Sequence, residues 1–566
     1  MSSEKPSPLF LGLDLSTQQL KAVIITEDTS VVHESAVNFT KDLPQYGTAN
    51  GVIVGPGPGE ATSPVAMWVH ALDLLMERAQ ASGVDTSRVA AISGAGQQHG
   101  SVYWSSSAEK LLTTLNPEKS LLDQLVPGAF SVPNSPIWQD SSTTRECEEL
   151  EVAVGGPQAL ADITGSRSYE RFTGPQIKKI RRAHPIQYEN TARISLVSSF
   201  VASLFLGRIA PIDVSDASGM NLMNVHLHKW VDSILEVAGG KELRGKLKEE
   251  PVEGGIALGE VHPYWTRRWG FPPECLIAPF AGDNPASVIA LSAPGDAIMS
   301  LGTSTTFLLS IPPSAKPPKG FTSSHLLSHP TKEGALIAML CYKNGALARE
   351  KIRDEYAQSS WDKYNEFVEA SPPGNNKTLS FYFPLPEIIP PNVQGVFFYD
   401  ISDPSSPVPK DIIPDSAHPR AILESQFLSI KVRIQDILPE DARPLHRLIV
   451  TGGSSANQTI LQLAADVFGT KVYAATSGKE AAAIGGAQLA RYTWWKGRNG
   501  SNGLFEEMVS GDPEKARLVA GPRSEVVNVY EGLVEPYKRC EALILQNWVS
   551  HQVTLGGSYT RYPAIE

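Results

Sequence analysis

The chain has 566 residues, enough for two or three domains of ordinary size. Hydrophobic residues make up 42% and charged residues 19%, which excludes a disordered chain and leaves apolar side chain for large cores. The formal net charge of −11 excludes the basic footing of a nucleic-acid binder, yet backbone amides and a metal ion could still hold a phosphorylated cosubstrate.

Four cysteines, Cys147, Cys275, Cys341 and Cys540, lie far apart with no CxxC pair. That spacing argues against a disulfide framework or a zinc site, and a cytoplasmic protein is expected. The first ten residues carry no apolar core of a secretory signal. The most membrane-like stretch, residues 196–206, is too short and too serine-rich to span a bilayer, so no membrane partner is expected.

In chain order, residues 9–13 are apolar, 14–19 small and polar, and 21–25 apolar again, with 31–37 a third candidate strand. This predicts a meander with a hydroxyl-rich turn. Apolar residues at helical spacing predict a helix over 64–76. A short strand over 88–92 runs into Ser93-Gly94-Ala95-Gly96-Gln97-Gln98-His99-Gly100, and helix dominates 143–206. Near residue 290 the opening pattern returns. Residues 297–301 are apolar, Gly302-Thr303-Ser304-Thr305 are small and hydroxylic, and 307–311 are apolar. Two lobes of one topology would each present such a turn to a common cleft. Proline-rich segments follow at 311–319, 371–376 and 383–409, the last long enough for a surface insertion or lid. The pattern then becomes strand (447–450), loop, helix (Ile460, Leu461, Ala464, Val467 and Phe468 on one face), strand (471–475) and helix (479–491).

Asp14 ends a strand and precedes Ser16-Thr17-Gln18, so it can hold a magnesium ion while the turn meets a phosphate; a plain turn aspartate is the competing reading. Gly302-Thr303-Ser304 offers close backbone approach and hydroxyls, and the two turns together suit a nucleotide cleft. Asp283, in Gly282-Asp283-Asn284-Pro285, can take the proton of an attacking alcohol with Asn284 orienting a sugar hydroxyl, or can simply cap a helix. Gly452 and Gly453, with Ser454 and Asn457, lack the GxGxxG spacing but permit approach of a nucleotide; a tight strand–helix turn is the alternative. His99 can bond sugar hydroxyls, Arg171 can reach a hydroxyl or carbonyl, and Trp361 can stack on adenine, each against an ordinary packing or surface role. Residues 240–246 mimic a P-loop, but Leu247 stands at the Ser/Thr position and a helix precedes it, so the segment is read as a helix connector.

Taken together, the sequence resembles the FGGY carbohydrate kinases and, among them, the eukaryotic-type xylulokinases. The motifs are Leu11-Gly12-Leu13-Asp14-Leu15-Ser16-Thr17-Gln18-Gln19, Asp42-Leu43-Pro44-Gln45-Tyr46-Gly47-Thr48, Ser93 to Gly100 as above, Asp140-Ser141-Ser142-Thr143-Thr144, residues 165–174, Gly282-Asp283-Asn284-Pro285-Ala286-Ser287, Ser300-Leu301-Gly302-Thr303-Ser304, Lys343-Asn344-Gly345 and Thr451-Gly452-Gly453. The resemblance implies an α/β protein with the two-lobed actin-like, ribonuclease H-like ATPase fold and an inter-lobe cleft. Residues 1–290 would form the sugar-binding lobe with the first phosphate turn, and 291–566 the nucleotide-binding lobe.

It further implies ATP and Mg2+ as cofactors and phosphorylation of D-xylulose at the C5 hydroxyl; a monomer or homodimer is expected, which the sequence itself does not decide. Asp283 would be the general base. Gln98, His99, Arg171, Asp283 and Asn284 would hold the sugar, and Asp14 the metal. Ser16, Thr17, Gln18, Gly302, Thr303, Ser304, Trp361, Gly452, Gly453, Ser454 and Asn457 would meet the nucleotide. The sequence departs from the pattern at Thr305 and Thr306, where an Asp-Thr pair is expected, and the segments 311–319, 383–409 and the tail after 492 match nothing in it. Another small ketose or polyol as substrate, or a non-catalytic sensor on the same fold, are the alternative readings.

Overall fold

The computed structural model describes residues 7–554 apart from 294, 317, 439–444, 476–479, 501–502 and 513–515, and the side chains of 549–554 stand outside that description too. The polar first six residues, Pro317 in the segment 311–319, and Lys479, expected to begin a helix, lie outside the described residues.

Two mixed seven-stranded sheets organise the chain. In the first, Leu9–Leu15 pairs antiparallel with Gln19–Thr26, which pairs with Val31–Asn38, while its other edge pairs parallel with Val89–Gly96. The apolar run 9–15 is buried along its whole length, as a central strand covered on both faces requires. In the second sheet, Asp296–Leu301 pairs antiparallel with Thr305–Ile311, which pairs with Leu336–Tyr342, and its other edge pairs parallel with Arg447–Thr451. The order antiparallel hairpin, third strand, parallel neighbour therefore occurs twice, as the repeated strand–turn–strand pattern leads one to expect. Val89–Gly96 is longer than the strand read over 88–92, so Ser93 to Gly96 are strand rather than loop.

Between the sheets lie two helices, Asp283–Leu291 and Ala481–Asn499. One core cluster runs through Phe10, Val23 and Ala91 of the first sheet, Val288, Ala483 and Ala487 of the helices, and Ile298, Leu308 and Ile449 of the second sheet. Glycines let these layers meet. A Cβ at Gly485 would lie 1.9 Å from the Ala286 carbonyl oxygen, and one at Gly486 would lie 2.5 Å from the Gly94 Cα. No other residue allows that approach without displacing backbone.

The region 143–206 is helical as expected except for the strand Thr191–Leu196, which pairs with Ser101–Ser105. Residues 196–206 end that strand and form the buried helix Val197–Leu206. The P-loop mimic spans the junction of the helices Asp232–Gly239 and Leu243–Leu247. The segment 383–409 is no loose insertion: Gly395–Asp400 and Val408–Lys410 join Thr378–Phe383 in a three-stranded sheet. Among the described residues, the tail after 492 continues the long helix to Asn499, adds the edge strand Ala516–Ala520 to the second sheet, and carries the helices Phe505–Val509, Ser524–Glu531 and Val534–Thr554. Among the described residues, no helix is long and apolar enough to cross a membrane.

Candidate active site

Strand ends place the candidate residues. Asp14 is the penultimate residue of Leu9–Leu15, opposite Ala95 on the parallel neighbour, whose chain continues into Gln97, Gln98 and His99. Both strands therefore deliver polar groups at their carboxyl ends, where the sheet opens. Asp14 is buried, and Ser16 Oγ donates to its Oδ2 at 2.5 Å, with Lys21 Nζ 4.0 Å away. Burial raises its carboxyl above the usual range, with Ser16 and Lys21 opposing. Its Oδ1 is buried without a hydrogen-bond partner. Thr17 Oγ1 accepts from Trp138 Nε1 at 2.8 Å, and Gln18 is exposed on the turn.

Asp283 opens the helix Asp283–Leu291 as its first helical residue, with Gly282 as the cap. Asn284 N and Asn284 Nδ2 donate to Asp283 Oδ1 at 2.9 and 3.1 Å, and Asn284 Nδ2 also donates to Gln98 Oε1 at 3.0 Å. These bonds fix the carboxylate. Burial, and then the Asp14 charge, hold the Asp283 carboxyl up at about 7.

His99 adopts φ +73°, and its Nδ1 lies 2.9 Å from the Gly219 carbonyl oxygen while its ring stacks on Phe172 at 4.4 Å. A carbonyl accepts, so Nδ1 carries the proton and Nε2 is left as an acceptor. Burial, with Arg171 nearby, lowers its pKa to about 3, so the ring is neutral. Arg171 lies over the Tyr169 and Phe172 rings at 4.8 and 5.4 Å. Its Nη2 stands 2.9 Å from Nε2 of His325, a residue of the second sheet.

Gln98, His99, Arg171, Asp283 and Asn284 line one pocket of about 530 Å³ together with Thr303 and Ser304 of the second-sheet turn. Asp14 and Ser16 line an adjoining pocket of about 200 Å³ that shares Asp283 and Asn284. The pocket thus brings polar groups of the first half against hydroxyls of the second. Trp138, Asp140, Glu170 and Lys343 also line it. None of these four was a candidate from the sequence, although Asp140, Glu170 and Lys343 stand inside the motifs that carry the resemblance.

On the other side, Gly452 has φ +86°, and a Cβ there would lie 2.9 Å from the Leu301 carbonyl carbon. Glycine therefore lets the Gly452-Gly453 turn close against Leu301-Gly302. A Cβ at Gly453 would meet nothing within 4 Å, so that face is open. Ser454 Oγ accepts from Arg349 Nη2 at 3.0 Å, and Arg349 Nη1 donates to Gln426 Oε1 at 2.8 Å. Gln426 Nε2 in turn donates to the Asn344 and Gly345 carbonyls at 2.7 and 3.1 Å. Arg349, 0% exposed, thus ties Ser454 through Gln426 to the Asn344-Gly345 backbone. Asn457 caps the helix Gln458–Phe468 through its side-chain oxygen. Trp361 begins the helix Trp361–Ala370 with Arg353 4.9 Å above its ring; it is not among the residues lining the 530 Å³ pocket.

An acidic base, a neutral imidazole, a guanidinium and an amide around a small polar pocket, with hydroxyl and glycine turns opposite, can hold a polyol and align a phosphoryl donor with it. The sequence matches the FGGY family of carbohydrate kinases in its N-terminal domain over residues 131–290 and in its C-terminal domain over residues 297–494. It is 43% identical to a xylulose kinase of Rattus norvegicus, covering 94% of this chain and 97% of that one. It is 40% identical to the D-xylulose kinase A of Aspergillus niger, covering 96% and 100%. The crystal structure of xylulose kinase from Rhodospirillum rubrum superposes with a TM-score of 0.73 at 17% identity, over 95% of this chain and 98% of that one, a likeness of fold.

Proposed function

The chain belongs to the FGGY family of carbohydrate kinases, and we propose that it transfers the γ-phosphoryl group of ATP to the C5 hydroxyl of D-xylulose. The observation that carries the site assignment is the convergence of Asp283, His99, Arg171 and Asn284 with Thr303 and Ser304 in one pocket. The choice of D-xylulose is supported by the relatives: the name of the rat protein specifies xylulose and that of the Aspergillus niger protein D-xylulose.

In this reading the sugar lies on the first-half wall. His99 Nε2 accepts from one hydroxyl, Arg171 donates to another, Asn284 Oδ1 accepts from a third because both of its Nδ2 hydrogens are already used, and Gln98 holds Asn284 in place. Asp283 takes the proton of the attacking hydroxyl. Asn284 anchors its Oδ1, and Oδ2 is the oxygen assigned to the proton. A carboxyl held up at about 7 is a better base near neutral pH than an ordinary one. The turns at Ser16-Thr17-Gln18, Gly302-Thr303-Ser304 and Gly452-Gly453-Ser454 face the nucleotide, and Trp361 and Asn457 border it.

Mg2+ fits Asp14. A buried carboxylate oxygen without a hydrogen-bond partner suits a hard cation. No cluster of three or more His, Cys, Asp or Glu occurs among the described residues, so the protein would supply few ligands, as this ion commonly accepts. When bound, the ion supplies charge neutralisation of the phosphate oxygens. Thr305 and Thr306 stand where an acidic residue is expected, which leaves Asp14 as the carboxylate for that role.

The test is the product. Incubated with D-xylulose and Mg-ATP, the enzyme should yield a sugar phosphate whose phosphorus couples to C5 in NMR spectra. Phosphate on another carbon, or ADP without sugar phosphate, overturns the reading.

A further inference from the structure

The sugar-facing Arg171 is held by a residue that no sequence motif marked. His325 lies on the strand His325–Ser328, at the edge of the second sheet, 154 residues away. Its ring is 2% exposed, packed at 4.6 Å against Tyr169 and 5.4 Å against Phe172, the same two rings that Arg171 overlies. A guanidinium has only donors. Nη2 at 2.9 Å from Nε2 therefore donates, Nε2 accepts, and the ring proton sits on Nδ1. That Nδ1 is buried and has no hydrogen-bond partner. A buried donor left unmade is costly, so the ring is poorly explained as core filling, where an apolar side chain would serve better.

The strand is anchored on both sides. Leu326 N donates to the Gly165 carbonyl at 2.8 Å and Ser328 N to Ser218 Oγ at 2.9 Å, both on the first half of the chain. In register, His325 stands opposite Met339, which lines the sugar pocket from the second sheet. His325 is thus fixed relative to both walls of the pocket, and Arg171, a long side chain with several rotamers, is not fixed by its own backbone.

We propose that His325 is a positioning residue for the sugar: it takes one N–H of Arg171 and orients the remaining guanidinium donors into the pocket. The proposal rests on the sugar-kinase reading above and deepens it. Binding of the sugar then depends on a residue of the second lobe that never touches it. Removing the acceptor releases Arg171 to other rotamers, which weakens sugar binding and leaves ATP binding and the phosphoryl step nearly intact.

The experiment is steady-state kinetics on His325→Phe, His325→Asn and His325→Gln, with a double-mutant cycle against Arg171→Met. His325→Phe should raise the KM for sugar roughly tenfold, as loss of a charge-assisted bond predicts, with kcat and the KM for ATP within about twofold. His325→Gln, which can still present an acceptor, should recover most of the loss. In the cycle, the His325 effect should vanish once Arg171 is gone. His325→Asn, too short to reach, should behave like the Phe variant and replaces it if that variant does not fold. Unchanged sugar KM in the Phe or Asn variant, or additive effects in the cycle, overturns the proposal. Turnover of a different sugar by the unmodified enzyme sinks the D-xylulose reading alone, and the same variants are then read with that sugar.

Discussion

Asp14 and Asp283 line the same pocket of about 200 Å³, and the charge of Asp14 is second only to burial in holding the Asp283 carboxyl up at about 7. On the proposed reading Asp14 would hold Mg2+, which would offset its charge, and Asp283 would be left as the base.

Removing the base comes first. Asp283→Ala should lower kcat by ~10²–10⁴-fold, the range general bases contribute, while a nonhydrolysable ATP analogue binds within a few-fold of the unmodified protein. Coupled ADP release and calorimetric titration together check this. Retained turnover would remove Asp283 from its assigned role.

The same carboxyl sets a pH dependence. As a base it works ionised, so kcat/KM for the sugar should rise with pH as this carboxyl deprotonates, at a pH below 7 once Mg2+ offsets the Asp14 charge. Stability runs the other way. A carboxyl whose folded pKa is raised from 3.8 contributes stability present below about pH 4 and lost as pH climbs through 7. Asp283→Asn, neutral at every pH, should therefore melt higher than the unmodified protein at pH 8 and alike at pH 4, measured by thermal denaturation.

Asp14→Asn removes the like charge. Without Mg2+, the Asp283 carboxyl should titrate at a lower pH in the variant than in the unmodified protein, because one cause of its raised pKa is gone. Turnover itself should drop by roughly 10²-fold or more with the loss of a metal ligand. Chelation of Mg2+ should stop the unmodified enzyme and leave sugar binding by calorimetry in place.

Arg349→Met tests the tie between the Gly452-Gly453-Ser454 turn and Asn344-Gly345. Ser454 loses its bond and Gln426 loses the group that holds it against Asn344 and Gly345. The KM for ATP should rise roughly tenfold and the sugar KM should stay within about twofold, since charged hydrogen bonds of this kind are among the stronger ones. Equal ATP kinetics in the variant would reduce Arg349 to core packing.

The fold was legible where periodicity is local. Both hairpins announced themselves as apolar, hydroxylic, apolar, and the structure repeats them as corresponding strands of two sheets. The strand–loop–helix after 447 read equally well. Thr191–Leu196 did not, because a strand of six residues inside a helical region is set by its pairing with Ser101–Ser105 rather than by its own sequence. In the candidate site, the positions of Asp14 near a strand end and Asp283 at a helix start were legible from their small-residue context, but that context left the turn and cap readings open, and it was the family resemblance that singled the two out. His325 and Arg349 were not. Their importance lies in partners 154 and 105 residues away, and a lone histidine or arginine carries no local mark of such a contact.

ADP release with Mg-ATP against D-xylulose, D-ribulose, L-ribulose, glycerol and gluconate, run in parallel, decides the substrate. D-xylulose should give the highest kcat/KM by a wide margin. Preference for another sugar of the set would contradict the assigned substrate, and no turnover on any of them, with ATP binding intact, would contradict the kinase itself.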